Sequence, residues 1–226
     1  MKNLAWAIGG LIVLLIGVFL FTSKTKHTDD TIIPTPVSLV SPTPDLESLN
    51  KVDTQAENKK MQVPFEILTK EQIQGKKIKI ETNKGDIVFE LLSDSPIASS
   101  NFIYLVNKKF YNGLIFHRVV KGFMIQGGDP SGNGSGGPGY AFQEKGIANG
   151  GKYQRGIVAM AKTAYDPPGT GGSQFFIMQD DKPLPPDYAI FGNVVAGMDV
   201  VDKIAETEGQ NESPTEKITM KSVTVQ

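Results

Sequence analysis

Eight short stretches with the character of β-strands follow one another along most of this 226-residue chain, and that succession limits the fold more than any other feature. They are KIKIET (Lys77–Thr82), DIVFELL (Asp86–Leu92), IFHRVV (Ile115–Val120), FMIQGGD (Phe123–Asp129), GIVAMAKT (Gly156–Thr163), SQFFIMQ (Ser173–Gln179), AIFGNVV (Ala189–Val195) and ITMKSVTV (Ile218–Val225). Asn83-Lys84-Gly85 joins the first two as a hairpin turn. Only two substantial helices interrupt the series. Ser95-Pro96 opens one, with serine as N-cap and proline at the first helical position, and Ile97, Phe102, Ile103, Leu105 and Val106 give it an apolar face to about Lys108. MDVVDKIAE, Met198 to Glu206, is the other. A smaller signature, Thr69 as N-cap with Gln72 three residues on and Gly75 as stop, marks a short helical turn. So many β-branched strands would expose reactive edges unless the sheet closes on itself. The predicted fold is therefore mainly β: a closed eight-stranded antiparallel barrel capped by two helices.

The N-terminus follows different rules. Leu4 to Phe21, LAWAIGGLIVLLIGVFLF, is an unbroken apolar run of about the length that crosses a bilayer as one helix. A cleaved signal peptide is the competing reading, but the run is long for one and bulky Phe19, Leu20 and Phe21 precede Thr22 and Ser23. TIIPTPVSLVSPTPD, Thr31 to Asp45, is rich in Pro, Ser and Thr and suits a semi-rigid spacer. The expected organisation is a membrane anchor over residues 1–23, a linker over 24–62 and a globular domain over 63–226. Lys2 before the run and Lys24 and Lys26 after it nearly balance the positive-inside rule. The spacer favours a single-pass protein of the cell membrane with its domain on the extracytoplasmic side.

Composition removes several functions. The net charge is -1, so no clustered basic surface for nucleic acid is expected. With no cysteine, thiol nucleophiles, disulfides and thiolate metal sites are excluded. The domain holds a single histidine, His117, too few for a paired metal-ligand spacing or a hydrolytic site. SGNGSGGPG, Ser131 to Gly139, lacks the lysine and Ser/Thr of a phosphate loop.

One residue is out of place. Arg118 lies inside an apolar strand, where an unpartnered guanidinium costs several kcal/mol. Alternation along strands puts Phe116, Arg118 and Val120 on one face; Met124 and Gln126 on one; Gln174, Phe176 and Met178 on one, with Phe175 and Ile177 left for the core; and Ala161 with Thr163. A guanidinium and two long amides among large apolar groups suit a surface that receives a small apolar ring. Gly171-Gly172 suggests that something approaches the backbone closely there. The alternative is a barrel with a merely semi-apolar outer face.

FHRVVKGFMIQGGD (Phe116–Asp129) and GGSQFFI (Gly171–Ile177) closely resemble the two signature stretches of the cyclophilin family of peptidyl-prolyl cis-trans isomerases. NFIYLV, FYNGLIFHR and FGNVVAGMDVVDKI are similar to its intervening segments, in the same order, so the resemblance spans about Lys77 to Val225. It implies an isomerase assisting the folding of unfolded or exported chains, with proline-containing polypeptides as partners and no cofactor or metal; together with the apolar N-terminal run, the expectation is a bacterial, membrane-anchored member of the family. It also implies catalytic roles for Arg118, Gln126, Phe123 and His117, with His117 packing or hydrogen-bonding at the rim rather than acting as a base. Substrate-binding roles fall to Met124, Ala161, Lys162, Thr163, Gln174, Phe176, Leu184 and Tyr188. Gln126 would hold Arg118, Gln174 would bind substrate backbone, and Lys162 would act through its own backbone. The family often has asparagine where Lys162 stands, and Tyr188 falls where a histidine is common. Pro183 stands where many members carry a tryptophan, so the resemblance does not extend to binding of cyclosporin-type inhibitors. The competing function is a groove that captures proline-containing segments without catalysis, although capture alone would not need Arg118.

Overall fold

The computed structural model describes residues 63–144 and 148–226. The expected anchor, residues 1–23, and the expected linker, 24–62, lie outside the described residues. Among the described residues no helix is long and apolar enough to cross a membrane.

The elements are α1 (Lys70–Ile73), β1 (Lys77–Thr82), β2 (Gly85–Leu91), α2 (Pro96–Asn107), β3 (Ile115–Val120), β4 (Met124–Gly127), β5 (Phe142–Gln143), β6 (Ile157–Met160), β7 (Thr170–Gly171), β8 (Phe175–Met178), β9 (Ile190–Ala196), α3 (Met198–Ala205) and β10 (Ile218–Val225). Eight strands close a barrel in the order β1-β10-β3-β4-β8-β6-β9-β2, each pairing antiparallel. These are the eight strands expected from sequence. The two-residue strands β5 and β7 form a separate ribbon that no strand pattern announces.

Thr69 caps α1 as expected, its side chain accepting from Gln72 N–H while Gln72 returns a bond to the Thr69 N–H. Ser95 stands at the N-cap of α2 but makes no cap bond with its side chain; its hydroxyl donates to the Ile190 carbonyl and ties the helix start to β9. Helix α2 packs on β9 and β10, and α3 on β2, β3 and β4, so the two helices cover the barrel.

Inside the barrel, Phe89, Phe102, Tyr111, Phe116, Phe175 and Phe191 form a network of aromatic rings, all fully buried. Strands β6 and β8 are buried on both faces. Phe175 and Ile177 join the inner core, whereas Phe176 and Met178 join a second apolar cluster with Met124, Ala159 and Ile190. That second cluster is the floor of the site.

One expectation fails at β3. Phe116 shares a face with neither Arg118 nor Val120: it is fully buried in the inner core, while those two are half-exposed on the other side. The pairing of β3 with β4 shifts between Phe116, opposite Gly127, and Arg118, opposite Gln126, so His117 is an extra residue. Such a bulge breaks alternation and turns the following side chains to the opposite face.

Candidate active site

The bulge decides where Arg118 goes. Beyond His117 the strand turns Arg118 out of the barrel, next to Gln126 on the paired strand and level with Phe176 on β8, which pairs with Gln126 in turn. Arg118, Phe123, Met124, Gln126, Ala161, Lys162, Phe176, Leu184 and Tyr188 together line a cavity of about 270 Å³. Nearly all the expected pocket residues therefore converge on one cleft. Apolar side chains form one side of it and polar ones the other. Phe176 meets the Tyr188 ring edge-on at 5.5 Å between centroids, and Tyr188 is backed by Tyr153 at 5.9 Å. Tyr153 also bonds the Tyr188 backbone on both sides, donating its hydroxyl to the carbonyl at 2.9 Å and accepting from the N–H at 3.0 Å.

A directed line of hydrogen bonds runs along the polar edge. Arg118 Nη1 donates to Gln126 Oε1 at 3.2 Å, and Gln126 Nε2 donates to Gln174 Oε1 at 3.0 Å. Gln174 Nε2 then donates to the carbonyls of Gly134 and Gly136 at 2.9 and 2.8 Å. Because the last donor is committed to two carbonyls, both amides have only one sensible orientation, and each presents its oxygen towards Arg118. Gln174 thus holds Gln126 in place and is itself held by the Gly-rich loop. At its other edge the guanidinium donates from Nε to Glu212 at 2.5 Å. Nothing in the sequence points to Glu212, since it lies in an irregular segment 94 residues away with no periodic pattern to flag it.

Gln174 and Thr163 line a second recess of about 390 Å³, which shares Gln126, Ala161 and Lys162 with the first. The Gly-rich loop forming its wall is wrapped around Asp129, whose carboxylate accepts from the N–H groups of Ser131, Asn133 and Gly134 at 2.7, 2.9 and 2.5 Å. Burial works to raise the Asp129 pKa, but the three N–H donors and nearby His117 together hold it below the ordinary value. Gly136 rides so close to this carboxylate that a Cβ there would overlap it. The close approach expected at Gly171 is internal: a Cβ would come within 2.5 Å of the Phe142 ring.

Lys162 does more than offer its backbone. Its side chain is only 5% exposed; the ammonium donates to the carbonyls of Thr163 and Asp166 at 3.2 and 3.0 Å and sits 5.5 Å over the Tyr188 ring. It clips the 163–166 loop to the cleft wall. Of the two expected roles for His117, packing and hydrogen-bonding at the rim, the structure shows no hydrogen bond among the described residues. The His117 ring does not line the cleft, both ring nitrogens are buried without a hydrogen-bond partner among the described residues, and Gly134 lies beside Nε2. Burial lowers its pKa below the ordinary value, and Arg118 adds to the shift while Asp129 opposes it.

Residues 77–225 match the family model for cyclophilin type peptidyl-prolyl cis-trans isomerase/CLD, well over half of the chain. The chain belongs to the cyclophilin family. Among its relatives, a peptidyl-prolyl cis-trans isomerase of Helicobacter pylori is 46% identical over 131 residues, covering 56% of this chain and 78% of the relative. Peptidyl-prolyl cis-trans isomerase B of Streptomyces anulatus is 39% identical over 168 residues, covering 65% and 94%. A cyclophilin of Cryptosporidium parvum, crystallised in the presence of the dipeptide Ala-Pro, superposes with a TM-score of 0.62 at 38% identity over 66% of this chain and 98% of that one. This cyclophilin is accordingly a peptidyl-prolyl cis-trans isomerase.

Proposed function

We propose that the cleft seats the proline ring of an unfolded or exported polypeptide while Arg118 drives rotation of the bond before it. Amide conjugation sets a barrier of about 18–20 kcal/mol to that rotation. A donor that engages the imide nitrogen as the bond twists localises its lone pair and weakens conjugation. Such a bond forms only in the twisted state, so it stabilises the transition state over either ground state. The observation that carries this reading is a guanidinium held at two nitrogens on the rim of a 270 Å³ cavity that Phe123, Met124, Phe176 and Leu184 also line. Phe123, Met124, Phe176, Leu184 and Tyr188 hold the ring. Gln126 orients Arg118 directly, and Gln174 fixes Gln126. Ala161, Lys162 and Thr163 continue the peptide path towards the second recess. His117 contributes by packing behind the bulge that aims Arg118. The Ala-Pro dipeptide used with the Cryptosporidium protein supports a proline-containing peptide as the occupant. In a protease-free exchange assay on an Ala-Pro peptide, the full chain should accelerate cis-trans exchange; an unaccelerated rate would contradict the reading.

The apolar run Leu4–Phe21 and the Pro-rich stretch after it support a tethered enzyme standing on the extracytoplasmic side of the membrane. Protease added to intact cells should then digest the domain, and fractionation should leave the chain with membranes. Protection from protease, or recovery in the soluble fraction, would contradict this placement.

A further inference from the structure

Two neighbouring residues outside any strand, Asn211 and Glu212, hold left-handed backbone, with φ of 55° and 61°. Residues with a Cβ rarely adopt that conformation, and it persists where the surroundings over-determine it. Here they do. The segment from Thr207 to Thr215 doubles back on itself: Thr215 N–H donates to the Thr207 carbonyl at 2.7 Å, Gly209 N–H to the Ser213 carbonyl at 2.8 Å, and Glu208 and Pro214 pair as a bridge. Its base is pinned beside the turn between β3 and β4. There Lys121 N–H donates to the Glu208 carboxylate at 3.1 Å and the Lys121 ammonium pairs with Glu206 at 2.8 Å. From the tip of this tongue a single carboxylate reaches Arg118, its Oε2 lying 2.5 Å from Nε.

The contact is economical with donors. Gln126 holds Nη1 and Glu212 holds Nε, so the planar group is fixed at two points, while Nη2 has no protein partner among the described residues. A carboxylate taking both terminal nitrogens, as Asp202 does at Arg155, would turn the terminal edge of the fork towards protein, so that Nη2 would no longer be wholly free for an incoming peptide. A side chain hinged on Gln126 alone could swing about that bond and lose the aim that transition-state stabilisation requires.

Resting on the isomerase reading of the cleft, we propose that Glu212 is a positioning residue for the reaction. Its carboxylate fixes the plane of the Arg118 guanidinium so that the remaining donors face the twisting imide, and the strained tongue tip serves to place it there. Glu212 itself does not touch the substrate.

Comparison of the full chain with Glu212→Gly and Glu212→Gln variants in the exchange assay, alongside thermal unfolding, tests this. Glycine keeps the left-handed backbone without strain and removes the carboxylate; glutamine keeps an acceptor of the same length. The glycine variant should lose about tenfold in kcat with KM moved by less than about twofold, while its unfolding midpoint equals or exceeds that of the parent. Glutamine should restore part of the loss. A kcat within about twofold of the parent in the glycine variant would overturn the proposal. So would a loss of activity accompanied by a lower midpoint, which marks a structural contact. An inactive parent would instead sink the isomerase reading on which the proposal rests, and the same series measures it.

Discussion

Two arginines on this barrel are almost equally exposed, Arg118 at 39% and Arg155 at 42% of the side chain, and each faces a carboxylate, yet the regions around them use the guanidinium in opposite ways. Just before the start of β6, Arg155 serves as a clamp. Both terminal nitrogens engage Asp202 on α3, at 2.8 and 2.7 Å, and Nη1 also donates to the Gln179 carbonyl. At the cleft, Arg118 gives its carboxylate only Nε and its glutamine only Nη1. Exposure and charge do not distinguish a clamp from a reagent here. The attachment points on the planar fork do, because they decide which donors remain for something that is not protein.

Deleting each side of the comparison should break different properties. The largest effect is expected from Arg118→Ala, which should lower kcat/KM on an Ala-Pro peptide by about 10²–10³, or roughly 2.7–4 kcal/mol of transition-state stabilisation. Its thermal midpoint should barely move, since the side chain packs no core. A matching loss of stability would erase the distinction between the two regions.

Asp202→Ala should do the reverse, leaving turnover within about twofold and costing at most about 1 kcal/mol of stability, the scale of an exposed ion pair. The cost should depend on pH. The hydrogen bond from Arg155 leads the causes that hold the Asp202 pKa below its ordinary value near 3.8, outweighing burial. A depressed folded-state pKa stabilises above the unfolded value and loses that contribution as pH falls through the folded one. Urea melts at about pH 6 and about pH 3 should therefore show the variant closing on the parent in acid. A constant gap between the two would contradict the ion-pair account.

The smallest effect sharpens the role of the bulge. Burial lowers the His117 pKa below its ordinary 6.5, so the folded chain prefers the neutral ring. This contribution is complete above the unfolded value and fades as pH falls through the folded one. A His117→Gln variant should flatten the slope of stability between about pH 7 and pH 5 by less than about 1 kcal/mol, with turnover at pH 7.5 nearly retained. A large loss of turnover would give His117 a direct part in the chemistry.

Much of the barrel and of the cleft is legible in the sequence. The eight strand segments have strong local signatures, and alternation in β8 correctly sends Phe175 inward and Phe176 outward. Most pocket residues are legible because they sit on a strand or beside one in a long motif; Leu184, in the loop between β8 and β9, is reached only through the resemblance. The features that escape share a physical cause. The bulge at His117 is one extra residue with no composition of its own, yet it reverses the face of everything after it. The β5–β7 ribbon is too short to carry a period. Gln174 and Glu212 acquire their partners through loops, where contacts depend on the path of the backbone rather than on spacing in the chain. Lys162 is expected to act through its backbone, and the internal clip made by its side chain has no sequence signal.

The most direct test keeps the charge and removes the fork. Arg118→Lys retains a cation at the same site but presents a compact ammonium on a flexible stem, whose three rotatable donors have no planar fork to fix their directions. Measured by protease-free exchange on an Ala-Pro peptide with the full chain, the variant should lose at least about tenfold in kcat/KM while binding the peptide nearly as well as the parent. Turnover within about twofold of the parent would show that positive charge alone suffices, and would contradict the account.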